Sequence, residues 1–250
     1  MLLTDCNAKD NRRVFDCMFE EETKEEWLDC GKYWLHRSPQ LSPEWHNRRL
    51  EILTSTRFNP IVNPSFIQGH DDVLSHYYDK KPQKKSLQEE INLRHGLKNE
   101  PKARQWYQRE YGVKVKEVGL AVPKWDTRLG ASIDGEVVGT SGIIEIKCPG
   151  HMYGSILKRI EKGTKHEEDN LFRPHIFRSH YDQMQGAMAV TSKQWCDYIV
   201  YCEPYDQVYV ERVDFNREYW EEVMYPRICN FLDNHPELFG LVLPGDNCMS

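Results

Sequence analysis

The chain has 250 residues, 39% of them apolar and 12% aromatic, enough to bury the core of a single domain. No apolar run approaches the ~18 residues of a membrane span, and Met1-Leu2-Leu3-Thr4-Asp5 lacks the basic and apolar regions of a secretory signal. An intracellular protein is expected, in the cytoplasm, or in the nucleus if the source is a eukaryotic virus or its host. The eight cysteines include no C-x-x-C pair, which argues against a zinc ribbon or a disulfide framework.

The net charge of −6 is unevenly spread: residues 1–30 hold nine Asp/Glu against four Lys/Arg. They read as an acidic leader, with residues 31–250 forming one domain. Within the leader, Glu20 to Trp27 reads as a short helix. Ser42-Pro43-Glu44 is a helix start, with serine as the cap and proline at the first position, where its missing N–H costs nothing. That helix is expected to run from 43 to 53, and Asn59-Pro60 through Asn63-Pro64 breaks the chain before a second helical region.

From Ser86 to Tyr111 the spacing of Leu87, Ile91, Leu97, Ala103, Trp106 and Tyr107 is helical, but Gly96 and Pro101 interrupt it. A kinked helix or two joined helices are predicted, with Glu100 at the break. Strands follow at 113–122, 130–138 and 142–148, then a helix over 180–190. A hairpin of strands 195–203 and 207–213 and a last helix over 216–235 complete the chain. This order gives an α/β fold whose central mixed sheet is flanked by helices. Basic groups cluster at Lys80-Lys81, Lys84-Lys85, Lys158-Arg159, Lys162, Lys165, Arg173 and Arg178. They suit phosphate tracking or solvated faces equally.

The chemistry concentrates in Ile133-Asp134-Gly135 and in Ile143-Ile144-Glu145-Ile146-Lys147-Cys148-Pro149, two strands joined by a turn at Gly139-Thr140-Ser141-Gly142. Side chains alternate along a strand, so Glu145 and Lys147 share one face while Ile144, Ile146 and Cys148 point to the other. A carboxylate and an ammonium on a buried strand are costly unless paired or holding a metal. Asp134 supplies a second carboxylate. Two carboxylates, a backbone carbonyl and waters suit Mg²⁺, which keeps several waters and takes oxygen ligands from protein and phosphate together. A surface hairpin with a cross-strand Glu–Lys pair is the plainer alternative.

Four separated segments together resemble the lambda exonuclease family of phage-type alkaline exonucleases (YqaJ-like viral recombinases) within the PD-(D/E)XK nuclease superfamily. They are Trp45-His46-Asn47-Arg48-Arg49 with Leu53-Thr54-Ser55-Thr56; Gly96 to Ala103 with Glu100; Gly130-Ala131-Ser132-Ile133-Asp134-Gly135 with Gly142 to Pro149; and Tyr181-Asp182-Gln183-Met184-Gln185. Ile133 stands where the family has proline, and Thr56 where it has serine.

The resemblance implies a restriction-endonuclease-like core. It implies that Asp134, Glu145 and the Ile146 carbonyl hold Mg²⁺, with Mn²⁺ as a substitute, that Lys147 positions or activates the attacking water, and that Glu100 supports the metal. It also implies that Arg49, Thr56, Ser132 and Gln183 gather around a 5′-terminal phosphate. Arg48 is the rival to Arg49, and Gln185 lies close enough in sequence to share or replace the role of Gln183.

The implied function is a 5′→3′ exonuclease that degrades double-stranded DNA from its ends to 5′-mononucleotides, in recombination or viral DNA processing. Implied partners are duplex DNA ends, a single-strand annealing protein and further copies of the chain in a ring. No P-loop is present, so an ATP-driven helicase–nuclease is not expected. A related endonuclease or RNase and a non-catalytic DNA-binding recombination adaptor are the alternatives. An iron–sulfur nuclease is disfavoured, because Cys202, Cys229 and Cys248 are too far apart in sequence to form a cluster motif.

Overall fold

A computed structural model describes residues 26–63, 67–79, 86–149, 176–203, 207–241 and 243. Ten strands form two five-stranded mixed sheets. The first contains β1 (Trp27–Asp29), β2 (Tyr33–His36), β3 (Leu53–Thr54), β5 (Leu120–Pro123) and β6 (Leu129–Ser132), in the order β1-β2-β5-β6-β3. The second contains β4 (Val115–Lys116), β7 (Gly135–Val137), β8 (Gly142–Lys147), β9 (Trp195–Cys202) and β10 (Gln207–Asp214), in the order β10-β9-β8-β7-β4. One parallel pair sits in each sheet, β3 with β6 and β8 with β9.

The α/β class with flanking helices is as expected, but two of the expected strands are each divided between the sheets. The segment 113–122 yields β4 and β5, and 130–138 yields β6 and β7. Gly119 marks the first division. A side chain there would lie 2.5 Å from the His36 carbonyl oxygen and 2.8 Å from that of Ser38, so the chain crosses only as glycine. The second division falls at Ile133-Asp134, which carries the chain from one sheet into the other.

The helices are α1 (Pro43–Arg48), α2 (Phe58–Val62), α3 (Ile67–Asp79), α4 (Leu87–Tyr111), α5 (Arg178–Thr191), α6 (Arg217–Tyr219) and α7 (Tyr225–Asn234), with a 3₁₀ turn over Ser55–Arg57 and a π turn over Trp220–Met224. The Ser42 cap forms as predicted, accepting from the Trp45 amide at 3.2 Å. However, α1 ends at Arg48 because Leu53 and Thr54 are drawn into parallel pairing with β6. Trp27 lies in β1 rather than a helix, and residues 20–25 of that expected helix fall outside the described residues.

Two separate helices do not form: α4 is one continuous helix from Leu87 to Tyr111, with Gly96 and Pro101 inside it. A capping box between Ser86 and Glu89 starts it, and Gly112, with φ of 63°, ends it. Pro101 deprives the Leu97 carbonyl of its helical donor at a residue 40% exposed, where water can serve instead.

The main core lies between the sheets, where Leu53, Leu129 and Ala131 face Ile143, Tyr198 and Val200 across Met184 and Met188 of α5. A second cluster packs Ala103 and Tyr107 of α4 against Ile144, Ile146 and Ile199. Strand β8 is therefore covered on both faces, and every polar side chain on it is forced to find a partner. Helix α5 approaches the chain entering α2 closely at Gly186, where any side chain would meet the Phe58 ring at 2.4 Å.

Candidate active site

Asp134 stands in the short turn between β6 and β7. Its Oδ2 accepts the Ile146 amide at 2.6 Å, which fastens the carboxylate to β8 beside Glu145. Glu145 is 2% exposed. Its Oε1 lies 2.5 Å from Lys147 Nζ and accepts from Gln183 Nε2 at 2.7 Å, while Lys147 donates to Gln183 Oε1 at 3.3 Å. A strand and the first half of α5 thus close a triangle of glutamate, lysine and glutamine.

Glu100 joins from α4. Its Oε1 accepts from Arg104 Nη2 at 2.6 Å, Arg104 Nε donates to the Asp134 carbonyl at 3.0 Å, and Arg104 also pairs with Glu117. Arg104 therefore links the helix acid to the backbone of the turn acid.

The electrostatics are those of crowded carboxyls. Burial first, then Glu145 and Glu100, pushes the Asp134 carboxyl well above the usual carboxylate range. Burial also raises Glu100; Arg104 opposes this, while Glu117 and Glu145 add to it. For Lys147, burial works against the charged form, but Glu145 and Asp134 outweigh it, so the ammonium is held. His180 behaves differently. Burial, helped by Lys147, pushes it down to about 3, and its Nδ1 lies 2.8 Å from the Tyr198 hydroxyl, so a neutral imidazole borders the cluster.

Among the described residues, no three His, Cys, Asp or Glu side chains form a ready metal cage. The donors on offer are the Asp134 carboxylate in the β6–β7 turn and the Glu145 carboxylate on β8, with the Ile146 main-chain carbonyl beside it. That set fits an ion that completes its shell with water and phosphate. The excess of carboxyl groups over cations here is what a divalent ion would neutralise.

A second cluster lies on the first sheet. Arg49 Nη1 donates to Ser132 Oγ at 2.9 Å, and Nη2 reaches Thr56 Oγ1 at 3.3 Å and Thr54 Oγ1 at 3.5 Å. The two threonine hydroxyls are 3.1 Å apart. Trp45 completes the group: its indole N–H donates to Ser132 Oγ at 3.1 Å, and its ring lies 4.4 Å beneath the Arg49 guanidinium. Burial pushes the guanidinium down to about 10, still charged at neutral pH.

The sequence left Arg48 as a rival, and geometry separates the two arginines. Arg48 turns to Glu26 and Glu51, at 2.8 and 3.0 Å.

Arg49, Thr56 and Ser132 are brought together, as are Asp134, Glu145 and Lys147, with Glu100 tied in through Arg104. Gln183 stands with Glu145 and Lys147; among the described residues no hydrogen bond joins it to Arg49. Gln185 is a correction. It is fully buried, donating to the Asp214 carbonyl at 3.0 Å and accepting from the Asn216 amide at 2.8 Å. Two residues along a helix point to different faces, so Gln185 braces the chain after β10 and cannot stand in for Gln183.

Thr54, Trp45 and Arg104 were not assigned roles from sequence. Arg104 was findable, because an arginine four residues after a helix glutamate is placed to pair with it. Of the expected basic clusters, only Arg178 is described; it pairs with buried Asp182 at 3.0 Å.

Asp134, Glu145 and Lys147 are gathered at one end of a mixed sheet beside an arginine–hydroxyl cluster, on an α/β fold shared with solved exonucleases. The chain belongs to the YqaJ-like viral recombinase domain family, which matches residues 44–194, more than half its length. It is similar in structure to the alkaline exonuclease LHK-Exo of Laribacter hongkongensis, at 27% identity and TM-score 0.61, over 77% of this chain and 92% of that one. The same enzyme in complex with dAMP gives 26% identity and TM-score 0.63 over the same shares. A phage-related exonuclease from Haemophilus somnus 129PT, at 10% identity and TM-score 0.52 over 75% of this chain and 93% of that one, shares the fold. No curated protein matches. No helix among the described residues is long and apolar enough to cross a membrane.

Proposed function

We propose that the chain is a divalent-metal-dependent exonuclease, using Mg²⁺ or Mn²⁺, that digests duplex DNA 5′→3′ from its ends and releases 5′-mononucleotides. One observation carries this reading. Ser132, which binds Arg49, and Asp134, which accepts from the Ile146 amide next to Glu145, are two residues apart, a step of at most about 7 Å. That is the scale of one nucleotide. A terminal phosphate on Arg49, Ser132, Thr54 and Thr56 sets the next phosphodiester against the carboxylates.

Within this reading each side chain has a task. Arg49 offers a planar fork to the terminal phosphate, and the hydroxyls accept or donate around it. Asp134, Glu145 and the Ile146 carbonyl would hold the cation. The bound ion supplies Lewis acidity to the phosphoryl oxygen and to water. Lys147, held by Glu145 and Gln183, stands ready to orient water and to offset charge on the phosphorus. Glu100, fixed by Arg104, supports Asp134 from behind. The dAMP found with LHK-Exo is a mononucleotide, the kind of product this spacing releases.

The reading extends to partners: duplex DNA ends as substrate, a single-strand annealing protein that takes the exposed strand, and a ring of copies. End-labelled duplexes with and without a 5′-phosphate, incubated with Mg²⁺ or with EDTA, test it. Metal-dependent digestion that favours phosphorylated ends is expected. Cleavage that persists in EDTA would remove the metal from the scheme.

A further inference from the structure

A cavity of about 360 Å³ opens where the C-terminal end of α5 meets the π turn. Trp125, Trp220 and Tyr225 form its aromatic wall, and Lys32, Lys193 and Arg217 stand around it with Glu221. Trp125 is 46% exposed, meeting Tyr225 edge-on at 5.2 Å and Trp220 at 6.3 Å, while Trp220 stacks on Tyr225 at 5.7 Å. Tyr225 is held in turn by a hydrogen bond to Asp126 Oδ2 at 3.2 Å, the same oxygen that Arg128 Nη2 holds at 2.8 Å. Trp125 thus presents a half-exposed indole, fixed by its aromatic neighbours, at the cavity wall.

The charges around the wall indicate what the cavity would receive. Three cations face one carboxylate. Lys193 is engaged by Glu136, Arg217 is bound to Glu221 only through a surface pair at 3.1 Å, and Lys32 has no ion pair among the described residues. Such surface pairs are weak and open readily to an incoming anion.

Aromatic rings with adjoining cations suit a base and its phosphate: every base has a π face, and the phosphates meet the cations. A neutral peptide side chain would fill the cavity but leave Lys32 unanswered. The place in the fold also matters. Gln194, on the cavity wall, donates to the Ser141 carbonyl at 2.8 Å, at the start of β8, whereas Glu145 and Lys147 lie toward its end. Five strand steps, roughly 16 Å, separate Gly142 from Lys147.

We infer that this cavity is a second nucleic-acid site, in which a nucleotide of a single DNA strand stacks against Trp125 with its phosphates toward Lys32 and Arg217. The inference rests on the proposed nuclease activity only for the origin of the strand, since duplex digestion from one end leaves the other strand unpaired. Binding to the site requires no turnover.

The test uses the full chain in EDTA and a fluorescein-labelled oligothymidylate of about twelve residues with a 5′-hydroxyl, followed by anisotropy. Trp125→Ala should weaken binding about tenfold or more, and Trp125→Phe should restore most of it. Lys32→Glu should weaken binding further and flatten its dependence on salt. Thymidine monophosphate competing at similar concentration would show that one nucleotide fills the site; failure to compete would show that the continuous strand is required. In parallel, duplex digestion with Mg²⁺ should stay within about twofold of wild type in all three variants, because none touches the carboxylates or the Arg49 cluster. Unchanged oligothymidylate affinity in both Trp125→Ala and Lys32→Glu would overturn the inference whatever the nuclease assay shows. A loss in Trp125→Ala that Phe fails to restore would overturn the stacking role.

Discussion

The two sheets meet at Ser132-Ile133-Asp134, and the groups on either side of that step carry opposite surpluses of charge. On the first sheet, Arg49 is surrounded by neutral partners, Ser132, Thr54, Thr56 and the Trp45 ring, and among the described residues no carboxylate pairs with it. On the second, Asp134, Glu145 and Glu100 crowd around Lys147 and Arg104. Under the proposed function, a half-buried cation whose partners are hydroxyls and an indole ring is open to an anion. Asp134 and Glu100 are pushed toward protonation by burial and by neighbouring carboxylates, a strain that a bound cation would relieve. Each group leaves charge that its own neighbours do not compensate, which is what the proposed reading uses.

The largest effect expected from breaking this contrast comes from the acidic side. Glu145→Gln keeps the shape and much of the bonding to Lys147 and Gln183 but removes the charge. Digestion in Mg²⁺ should fall at least ~10³-fold, while filter binding of duplex DNA stays near wild type, since phosphate contacts supply most of that affinity. Retained activity would detach Glu145 from the chemistry. Next comes the basic side. Arg49→Ala should lower the preference for 5′-phosphorylated over 5′-hydroxyl ends by about 1.5–3 kcal/mol, roughly ten- to a hundredfold in rate ratio.

Helix α5 sharpens the contrast within two residues. Gln185→Ala leaves the Asp214 carbonyl and the Asn216 amide without their partner and should cost about 2–3 kcal/mol of stability, read as a fall of several degrees in Tm. Gln183→Ala should leave Tm within about 2 °C yet slow digestion about tenfold, because it frees Lys147 and Glu145 from their shared amide. If both variants lose only stability, Gln183 belongs to the scaffold. The smallest effect is expected at the chain start. Deleting residues 1–25, with seven Asp/Glu and four Lys/Arg, should change the digestion rate by no more than about threefold. Any gain should appear at low salt and fade as ions screen the charges, and a folded deletion unable to digest DNA would place this segment in the site.

The α/β class and the grouping of Asp134, Glu145 and Lys147 were legible in the sequence; the detailed path of the strands was not. Strand alternation alone puts Glu145 and Lys147 on one face and Ile144 and Ile146 on the other, and Ile144 and Ile146 do pack together against Ala103 and Tyr107. Asp134 could be paired with them because a short turn fixes which strands adjoin. The division of strands between two sheets could not be read, since Gly119 and Ile133 look like ordinary strand interruptions until their long-range neighbours are known. Strand β1, only three residues long, is built by pairing with β2 rather than by its own pattern. Pro101 misled in the other direction: a solvated carbonyl and a packed second half keep α4 whole. The distinction between Gln183 and Gln185, both amides on one helix, depends on what α5 packs against, which neighbouring residues in sequence do not reveal.

The identity of the first product tests most directly whether the two charge clusters lie one nucleotide apart. Linear duplex carrying labelled 5′-phosphates is mixed with the protein in limiting Mg²⁺, and the label is followed through the first turnover by gel and chromatography. Release of the label as a 5′-mononucleotide is predicted, with closed circular DNA left intact. Label appearing first in longer oligonucleotides, or closed circles cut as fast as linear DNA, would contradict the joint reading of the Arg49 and Asp134–Glu145 clusters as a single exonuclease site.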